Sequence, residues 1–294
     1  HIMARLAKKV IIGASLAAGL SVVAGTPAQA LDITFHGEDN IKSYTHQDGN
    51  LWVGADASYL TDGELTTNVE LWFDSEDVGS NVGFTAIEGA HTVSVESVTA
   101  ADWVNFQDDW LDGLFATYEP LGELWDELGN TPFLGSTLQA GFLDTFKTMG
   151  GYGDPNIAEF SLDETGAVDI KMAGWGNLWT KIDTTALPSL WASDPLIASL
   201  AQDLRDEFIN LIPDLEISEI AKVTINGEVQ YAYSFNAVDS GFAAKDDGMS
   251  YSGIYSWNRP GTPVAAVPEP STMLGLMAVG GLVAASKRKS NKNA

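Results

Sequence analysis

The chain has 294 residues, with 40 Asp and Glu residues against 15 Lys and Arg residues, a formal net charge of −25 and no cysteine. The lack of cysteine excludes disulfides, thiol catalysis and Cys-ligated zinc or iron–sulfur sites. The excess of acidic residues argues against nucleic acid as a partner, because the phosphate backbone would repel such a surface.

The first 30 residues predict a signal peptide. Three basic residues precede an apolar run over residues 10–24, and Ala28 and Ala30 then form a small-x-small cleavage site. Signal peptidase recognises this order of charged, apolar and small residues, so we expect cleavage before Leu31. The alternative, a retained N-terminal membrane helix, fits less well because the apolar run is short.

Residues 31–98 show mostly period-two alternation of apolar and polar residues, and the alternation is clearest over residues 91–98. This pattern predicts three to five half-buried antiparallel strands. Turns between them are expected at Asp48-Gly49-Asn50, Thr61-Asp62-Gly63, Gly79-Ser80-Asn81 and Glu88-Gly89.

Between residues 101 and 151 the apolar residues recur at spacings of three and four, which predicts a helical insertion of two or three short helices. Its aromatic faces are expected to pack onto the sheet, and an apolar groove for a lipid or a partner is the alternative. A further helix is predicted over residues 195–212, with Asp194 as its N-cap and Pro195 at its first position.

Two hairpins are predicted in the second half of the chain. Strands at residues 157–162 and 168–173 flank a turn that contains Gly166, and strands at 222–225 and 228–235 flank Asn226-Gly227. A last strand is expected over residues 249–257, followed by a Pro-rich linker over 258–267. The predicted body, residues 31–257, is therefore an α+β domain: an antiparallel β-sandwich-like domain with a helical insertion.

Residues 268–294 form a tail whose order of residue types predicts a sorting signal with a short membrane helix. The polar element comprises Val267, Pro268, Glu269, Pro270, Ser271 and Thr272. The apolar run that follows contains Met273, Leu274, Leu276, Met277, Val279, Leu282 and Val283, and the basic residues after it are Lys287, Arg288 and Lys289. This run is shorter than the roughly 20 residues of a permanent span, so we expect a temporary anchor with its basic end in the cytoplasm.

The order of Pro268-Glu269-Pro270, apolar helix and basic cluster resembles the PEP-CTERM sorting tail of bacteria that make exopolysaccharide. The resemblance implies that an exosortase, a membrane-embedded cysteine protease, recognises the Pro-Glu-Pro element and removes the tail. A plain C-terminal anchor after a Pro-rich linker is the alternative. The body also resembles a group of cyanobacterial PEP-CTERM proteins in Gly153-Asp154-Pro155-Asn156-Ile157, Asn226-Gly227 and Asp246-Asp247-Gly248, which implies an organism class but no activity.

The sequence gives little support for a metal site. His36, His46 and His91 lack the spacing of a transition-metal site, and we interpret them as ordinary exposed or edge-strand histidines. Three acidic clusters could bind Ca²⁺ through oxygen ligands, and a solvated acidic face is the alternative reading; they are Asp74-Ser75-Glu76-Asp77, Asp108-Asp109 and Asp246-Asp247. We predict no metal and no cofactor, with Ca²⁺ as the one weak candidate.

No motif predicts catalysis. Residues 248–253 resemble a nucleophile elbow only superficially, and among 40 acidic residues some pair must have the spacing of a glycosidase pair. Five tryptophans on or beside predicted strands could instead form a platform for sugar rings, although core positions are the better interpretation; they are Trp52, Trp72, Trp175, Trp179 and Trp257. Tyr231 and Tyr233 could likewise contact sugar rings, and core positions are again the better interpretation.

These patterns together predict a non-enzymatic exported protein of the cell surface or extracellular matrix. The expected partners are signal peptidase, an exosortase, the membrane through both ends of the chain, and an exopolysaccharide. The alternatives are a secreted carbohydrate-binding module and a secreted hydrolase.

Overall fold

The computed structural model describes residues 31–46, 51–73, 78–130, 135–137, 139–140, 153–180, 209–210, 212–244 and 248–261. The strands are β1 (Asp32–His36), β2 (Ile41–Thr45), β3 (Leu51–Gly54), β4 (Thr67–Leu71), β5 (Gly83–Glu88), β6 (His91–Glu96), β7 (Asn156–Leu162), β8 (Val168–Gly174), β9 (Ala221–Ile225), β10 (Glu228–Ala232), β11 (Ala237–Asp239) and β12 (Gly253–Arg259). The α-helices are α1 (Ala100–Trp103), α2 (Gln107–Thr117) and α3 (Glu119–Asn130). Short 3-10 helices cover Glu38–Asn40, Ala57–Leu60 and Leu178–Thr180.

The strands form two sheets, and the paired strands in both run antiparallel. The five-stranded sheet has the order β1-β5-β6-β9-β10, and the seven-stranded sheet has the order β11-β12-β8-β7-β4-β2-β3. The prediction of a mostly antiparallel β domain with a few helices is therefore confirmed. Six of the described strands precede residue 98, against the three to five expected. Strands such as β3, which is exposed along its whole length, lack the alternation that marks a half-buried strand.

The inner faces of both sheets contribute to one hydrophobic core. Phe84 of the five-stranded sheet meets Phe160 of the seven-stranded sheet edge to face, with ring centroids 5.0 Å apart. Val93 and Val95, two inward positions of β6, are fully buried in the same core. The aromatic contact between the sheets fixes the two layers against each other.

Gly83 lets β5 approach β6 closely. A Cβ atom at Gly83 would lie 1.9 Å from the carbonyl oxygen of Val95, far inside van der Waals contact. A side chain here would push the two strands apart, so only glycine fits the first position of β5.

The helices pack against the five-stranded sheet and build a second core. Phe106 stacks on Tyr231, the penultimate residue of β10, with ring centroids 3.8 Å apart. Trp110 and Leu114 are buried in the same cluster together with residues of the 212–220 segment, such as Leu215. The helical insertion and the core role of its aromatic face are confirmed for the described residues.

A polar network ties the start of the helical region to the five-stranded sheet. Thr99 and Asp102 form a capping box on α1, and Lys222 Nζ lies 2.9 Å from Asp102 Oδ1. Asn81 Nδ2 also donates to Asp102 Oδ2 at 2.7 Å. Burial alone raises the pKa of Asp102, but the hydrogen bonds from Asn81, Thr99 and Lys222 outweigh it and lower the pKa to about 2.

Two strand ends differ from the sequence prediction. β10 ends at Ala232 rather than at Phe235, because Tyr233 and Phe235 pack into the helical core. The last strand begins at Gly253 rather than Met249, since Tyr251 has a φ of 63°, which is incompatible with extended backbone. β12 continues to Arg259, two residues beyond the predicted end, because Arg259 still pairs with Val168.

β11 is a strand that the sequence did not predict. It has three residues and pairs with β12 through Val238 and Ile254. Three residues are too few to show an alternating pattern.

The two hairpins are found where they were predicted. Asn226 and Gly227 have φ angles of 51° and 90°, as a two-residue turn with two left-handed positions requires. Several other predictions lie outside the described residues: the signal peptide, the turn at 48–50, the stretch 141–151 of the insertion, and the tail. Of the predicted helix over 195–212 only Ile209, Asn210 and Ile212 are described, and the first two of these are helical.

We expect Asp102→Asn to cost about 2 kcal/mol of unfolding free energy near neutral pH, because the variant loses the ion pair with Lys222 and the stabilisation of the carboxylate. The pKa of Asp102 is depressed in the folded chain, so its stabilisation is present above about pH 4 and is lost as the pH falls towards about 2. Urea unfolding of variant and wild type should therefore show a difference at about pH 7 that narrows below about pH 4.

Asp108→Asn is the matched control. Asp108 is exposed in the first turn of α2, so its substitution should change stability by less than about 0.5 kcal/mol. Equal losses in the two variants, or a difference independent of pH, would contradict the assigned role of Asp102.

Candidate functional site

A cleft of about 400 Å³ opens at the end of the seven-stranded sheet where β8 and β11 end and β12 begins. Its lining includes Gly176, Asn177, Glu216, Asp239, Gly248 and Ser252. The volume is in the range of small-molecule pockets. The lining residues come from separate parts of the chain, so no spacing in the sequence indicated this cleft.

Polar side chains that line the cleft accept hydrogen bonds from backbone N–H groups around it. Ser252 Oγ accepts a hydrogen bond from the Gly176 backbone N–H at 3.0 Å, and Glu216 Oε2 accepts one from the Ala237 backbone N–H at 2.8 Å. Asp239 Oδ1 accepts another from the Gly241 backbone N–H at 2.8 Å. These bonds give the lining groups a structural role in shaping the loops.

Two tyrosines hold the loops beside the cleft. Tyr118 Oη accepts a hydrogen bond from the Glu216 backbone N–H at 2.8 Å and donates to the Glu216 carbonyl at 3.1 Å. Tyr255 Oη donates to the Trp175 carbonyl at 2.5 Å. Burial, reinforced by the charge of Glu216, raises the pKa of Tyr118 and of Tyr255. Both phenols therefore stay protonated and act as hydrogen-bond donors.

An exposed aromatic surface lies at the opposite edge of the same sheet. Trp52 on β3 is 59 % exposed, and its neighbours Leu51 and Val53 are exposed as well. Lys42 Nζ lies 4.0 Å from the centroid of the Trp52 ring and 3.5 Å from that of Phe73. The cation between two rings orients the exposed indole.

The five tryptophans considered as a sugar-binding platform do not share one face. Trp72 and Trp257 pack against the core between the sheets, and Trp179 packs against the helical core. The indole N–H of Trp179 also donates to the Ile212 carbonyl at 2.6 Å. Trp175 is partly buried, which leaves Trp52 as the exposed member of the five.

The three histidines lie in separate environments. His36 Nε2 is 3.0 Å from Glu96 Oε1 on the five-stranded sheet. The prediction of an exposed or edge-strand position is wrong for His46, which is buried because it stacks on Tyr251 with ring centroids 4.0 Å apart. His91 lies beside the Asn226-Gly227 turn. Across the described part of the chain, no group of three or more His, Asp or Glu side chains is arranged to hold a metal ion.

The structure describes one of the three acidic clusters. Asp108 and Asp109 are exposed in the first turn of α2, where carboxylates interact favourably with the helix dipole. The clusters at 74–77 and 246–247 lie outside the described residues, so Ca²⁺ binding there stays a prediction.

The chain leaves the body through a fixed exit at the end of β12. Arg259 Nη2 lies 3.1 Å from Glu228 Oε2 and its backbone is paired with Val168 of β8. Gly261 lies so close to the β7–β8 turn that a Cβ atom there would be 2.7 Å from the Thr165 carbonyl oxygen. The segment up to Gly261 is therefore part of the folded body.

The predicted membrane and sorting residues from Val267 to Lys289 lie outside the described residues. None of the helices that are described has the length and apolar character needed to cross a bilayer.

Comparison with known families identifies the tail. Residues 266–289 match the PEP-CTERM protein-sorting motif, a range that includes Pro268-Glu269-Pro270 and the basic cluster at 287–289. No curated protein and no solved structure matches the chain. The PEP-CTERM resemblance is thus confirmed, whereas the resemblance of the body to a cyanobacterial group stays a prediction.

We expect Tyr118→Phe to lower the unfolding free energy by about 1–3 kcal/mol, because the Glu216 N–H beside the cleft loses its acceptor. Tyr59→Phe is the matched control, since Tyr59 Oη accepts a single longer bond of 3.3 Å from Thr45 Oγ1. Its loss should stay below about 1 kcal/mol in the same urea titration. Similar losses in both variants would show that Tyr118 has no special role in holding the Glu216 segment.

Proposed function

We propose that this chain is an exported protein of the cell surface or extracellular matrix. Its body has a binding or structural role and no catalytic one. The observation that carries the proposal is the match of residues 266–289 to the PEP-CTERM protein-sorting motif. The motif implies exosortase-dependent sorting to the cell surface.

The proposed route has three steps. Signal peptidase cleaves before Leu31, the apolar run from Met273 holds the exported chain in the membrane, and an exosortase then cuts at or near Pro268-Glu269-Pro270. The two prolines support the last step, because they keep the motif extended and outside the helix that follows. Lys287, Arg288 and Lys289 keep the end of the tail on the cytoplasmic side.

Several properties of the body suit a surface protein. Seven of the fifteen basic residues but one of the forty acidic residues lie in the two targeting ends, so the body is more acidic than the whole chain. A strongly acidic surface favours solubility outside the cell. The cleft supports a non-catalytic body, because the carboxylates of Glu216 and Asp239 each accept a hydrogen bond from a backbone N–H and so have a structural role.

We expect replacement of Pro268, Glu269 and Pro270 with alanine to leave the chain uncleaved in the membrane fraction, because the protease loses its recognition element. Immunoblots and intact-mass measurements of membrane and surface fractions would show this. Replacement of Thr262, Pro263 and Val264 with alanine is the matched control, since it lies upstream of the matched residues and should leave release unchanged. Normal release of the first variant would refute the sorting proposal.

Carbohydrate binding by the body is a second candidate, which one observation favours. Trp52 exposes 59 % of its surface on the sheet edge, with the Lys42 ammonium against one side of the ring. Exposed indole rings stack on sugars through their apolar faces. The host's own exopolysaccharide is the proposed ligand.

Trp52→Ala should abolish binding of that exopolysaccharide, measured as quenching of tryptophan fluorescence and by affinity electrophoresis in a polysaccharide gel. Val238→Ala is the matched control, because Val238 is 67 % exposed at the other edge of the sheet and should not affect binding. Absence of any response in the wild-type chain, or unchanged binding by Trp52→Ala, would exclude this surface as a sugar site.

A further inference from the structure

One end of the described body gathers three hairpin turns, and we refer to it as the hairpin end. The Asn226 backbone N–H donates to the Thr92 carbonyl at 2.9 Å, which joins the β9–β10 turn to the start of β6. Gly166 of the β7–β8 turn lies so close to His91 that a Cβ atom there would be 2.5 Å from His91 Nδ1. The turns of both sheets therefore meet around His91.

Both ends of the described chain emerge at the hairpin end. β1 begins at Asp32, which pairs with Ile87 one residue before the end of β5 at the β5–β6 turn. At the other terminus Arg259 pairs with Val168, the first residue of β8, and Gly261 lies against Thr165 in the β7–β8 turn. The predicted start of the mature chain and the exit towards the tail thus share one end of the body.

The length of the connection limits how far this end can be from the sorting motif. Gly261 and Pro268 are seven residues apart, so their Cα atoms lie within about 25 Å of each other in any conformation. The apolar run begins at Met273, shortly after the motif. Gly261 and Met273 are twelve residues apart, so the hairpin end of a chain anchored by this run lies within about 43 Å of the start of the run.

We propose that the hairpin end faces the membrane while the tail is attached, and that residues 262–267 set the clearance that the processing protease needs. This inference rests on the sorting function proposed above. The fixed exit at Arg259 and Gly261 matters because a body that ended in a loosely attached strand could supply extra length by unfolding that strand. Here the fold fixes Gly261 as the residue after which the spacer begins.

The charges of the hairpin end oppose direct contact with the bilayer. Asp32, Asp163, Glu164 and Glu228 are exposed there, whereas Arg259 is half-buried and paired with Glu228. An acidic end is repelled by anionic lipid, so we expect the tether to keep this end towards the bilayer without letting it rest on the surface. The cleft beside Gly174 and Gly253 lies at the opposite end of β8 and β12, so in the proposed orientation it would face away from the membrane.

A deletion tests the clearance in the full-length chain in its host. Removal of residues 262–265 reduces the largest separation of Gly261 and Pro268 to about 11 Å, and we expect release to fall to the level of the chain with alanines at 268–270. Replacement of the same four residues with Gly-Ser-Gly-Ser preserves the length and should restore release. Release of the deletion variant at the wild-type rate would overturn the clearance proposal.

The failure of each proposal has its own signature. If the chain with alanines at 268–270 is released normally, the sorting proposal itself fails. If that chain is retained but the deletion variant is released, sorting stands and the clearance proposal fails. Retention of the length-preserving variant would also overturn the proposal, because it would show dependence on the residues rather than on the length.

Single-cysteine labelling tests the orientation, since the chain has no other cysteine. In the membrane-held chain with alanines at 268–270, a fluorophore at Glu164→Cys on the hairpin end is compared with one at Asp239→Cys beside the cleft. The length of β8 separates these two ends by about 20 Å. Energy transfer to a headgroup-labelled lipid should be stronger from position 164, and equal or weaker transfer would refute the orientation.

Discussion

Burial of apolar side chains between the two sheets holds this chain together, because it has no cysteine that could form a disulfide. The edge-to-face pair of Phe84 and Phe160 joins the layers, and Gly83 allows the strand that carries Phe84 to lie tightly on its neighbour. The helical core is built on the outer face of β10 and is tied to the sheet through Lys222 and Asp102. The second core therefore depends on the geometry of the first.

Much of the fold follows from local patterns in the sequence. The period-two alternation before residue 97 predicted strands, and the Asn226-Gly227 dipeptide predicted a hairpin. The spacing of apolar residues at three and four after residue 101 predicted helices, and the structure contains all three features. Predictions failed where buried and exposed side chains do not alternate, as in the fully exposed β3. They also failed where a backbone angle is incompatible with the predicted strand, as at Tyr251. β11 is too short for any periodicity.

The candidate sites also differ in whether local sequence patterns could predict them. The sorting tail is contiguous in the sequence, so residue order alone was enough to identify it, and the family match covers residues 266–289. The cleft is assembled from distant parts of the chain: Tyr118 bonds Glu216, 98 residues away, and Gly176 bonds Ser252. Tertiary contacts of this kind leave no spacing signal. The exposure of Trp52 likewise depends on which face of the sheet the helices and loops leave open.

The position of β12 has a consequence for the time at which the body becomes folded. β12 is the last strand that the structure describes, yet it lies inside the seven-stranded sheet between β11 and β8. A chain that crosses a membrane from its N-terminus delivers this strand last, so the sheet stays incomplete until nearly the whole body has been translocated. Long-range pairing of this kind is slow and leaves strand edges open in the meantime. In the proposed route the anchor begins at Met273, fourteen residues after Arg259, and it would hold each unfinished molecule at the membrane and apart from the others while the sheet closes.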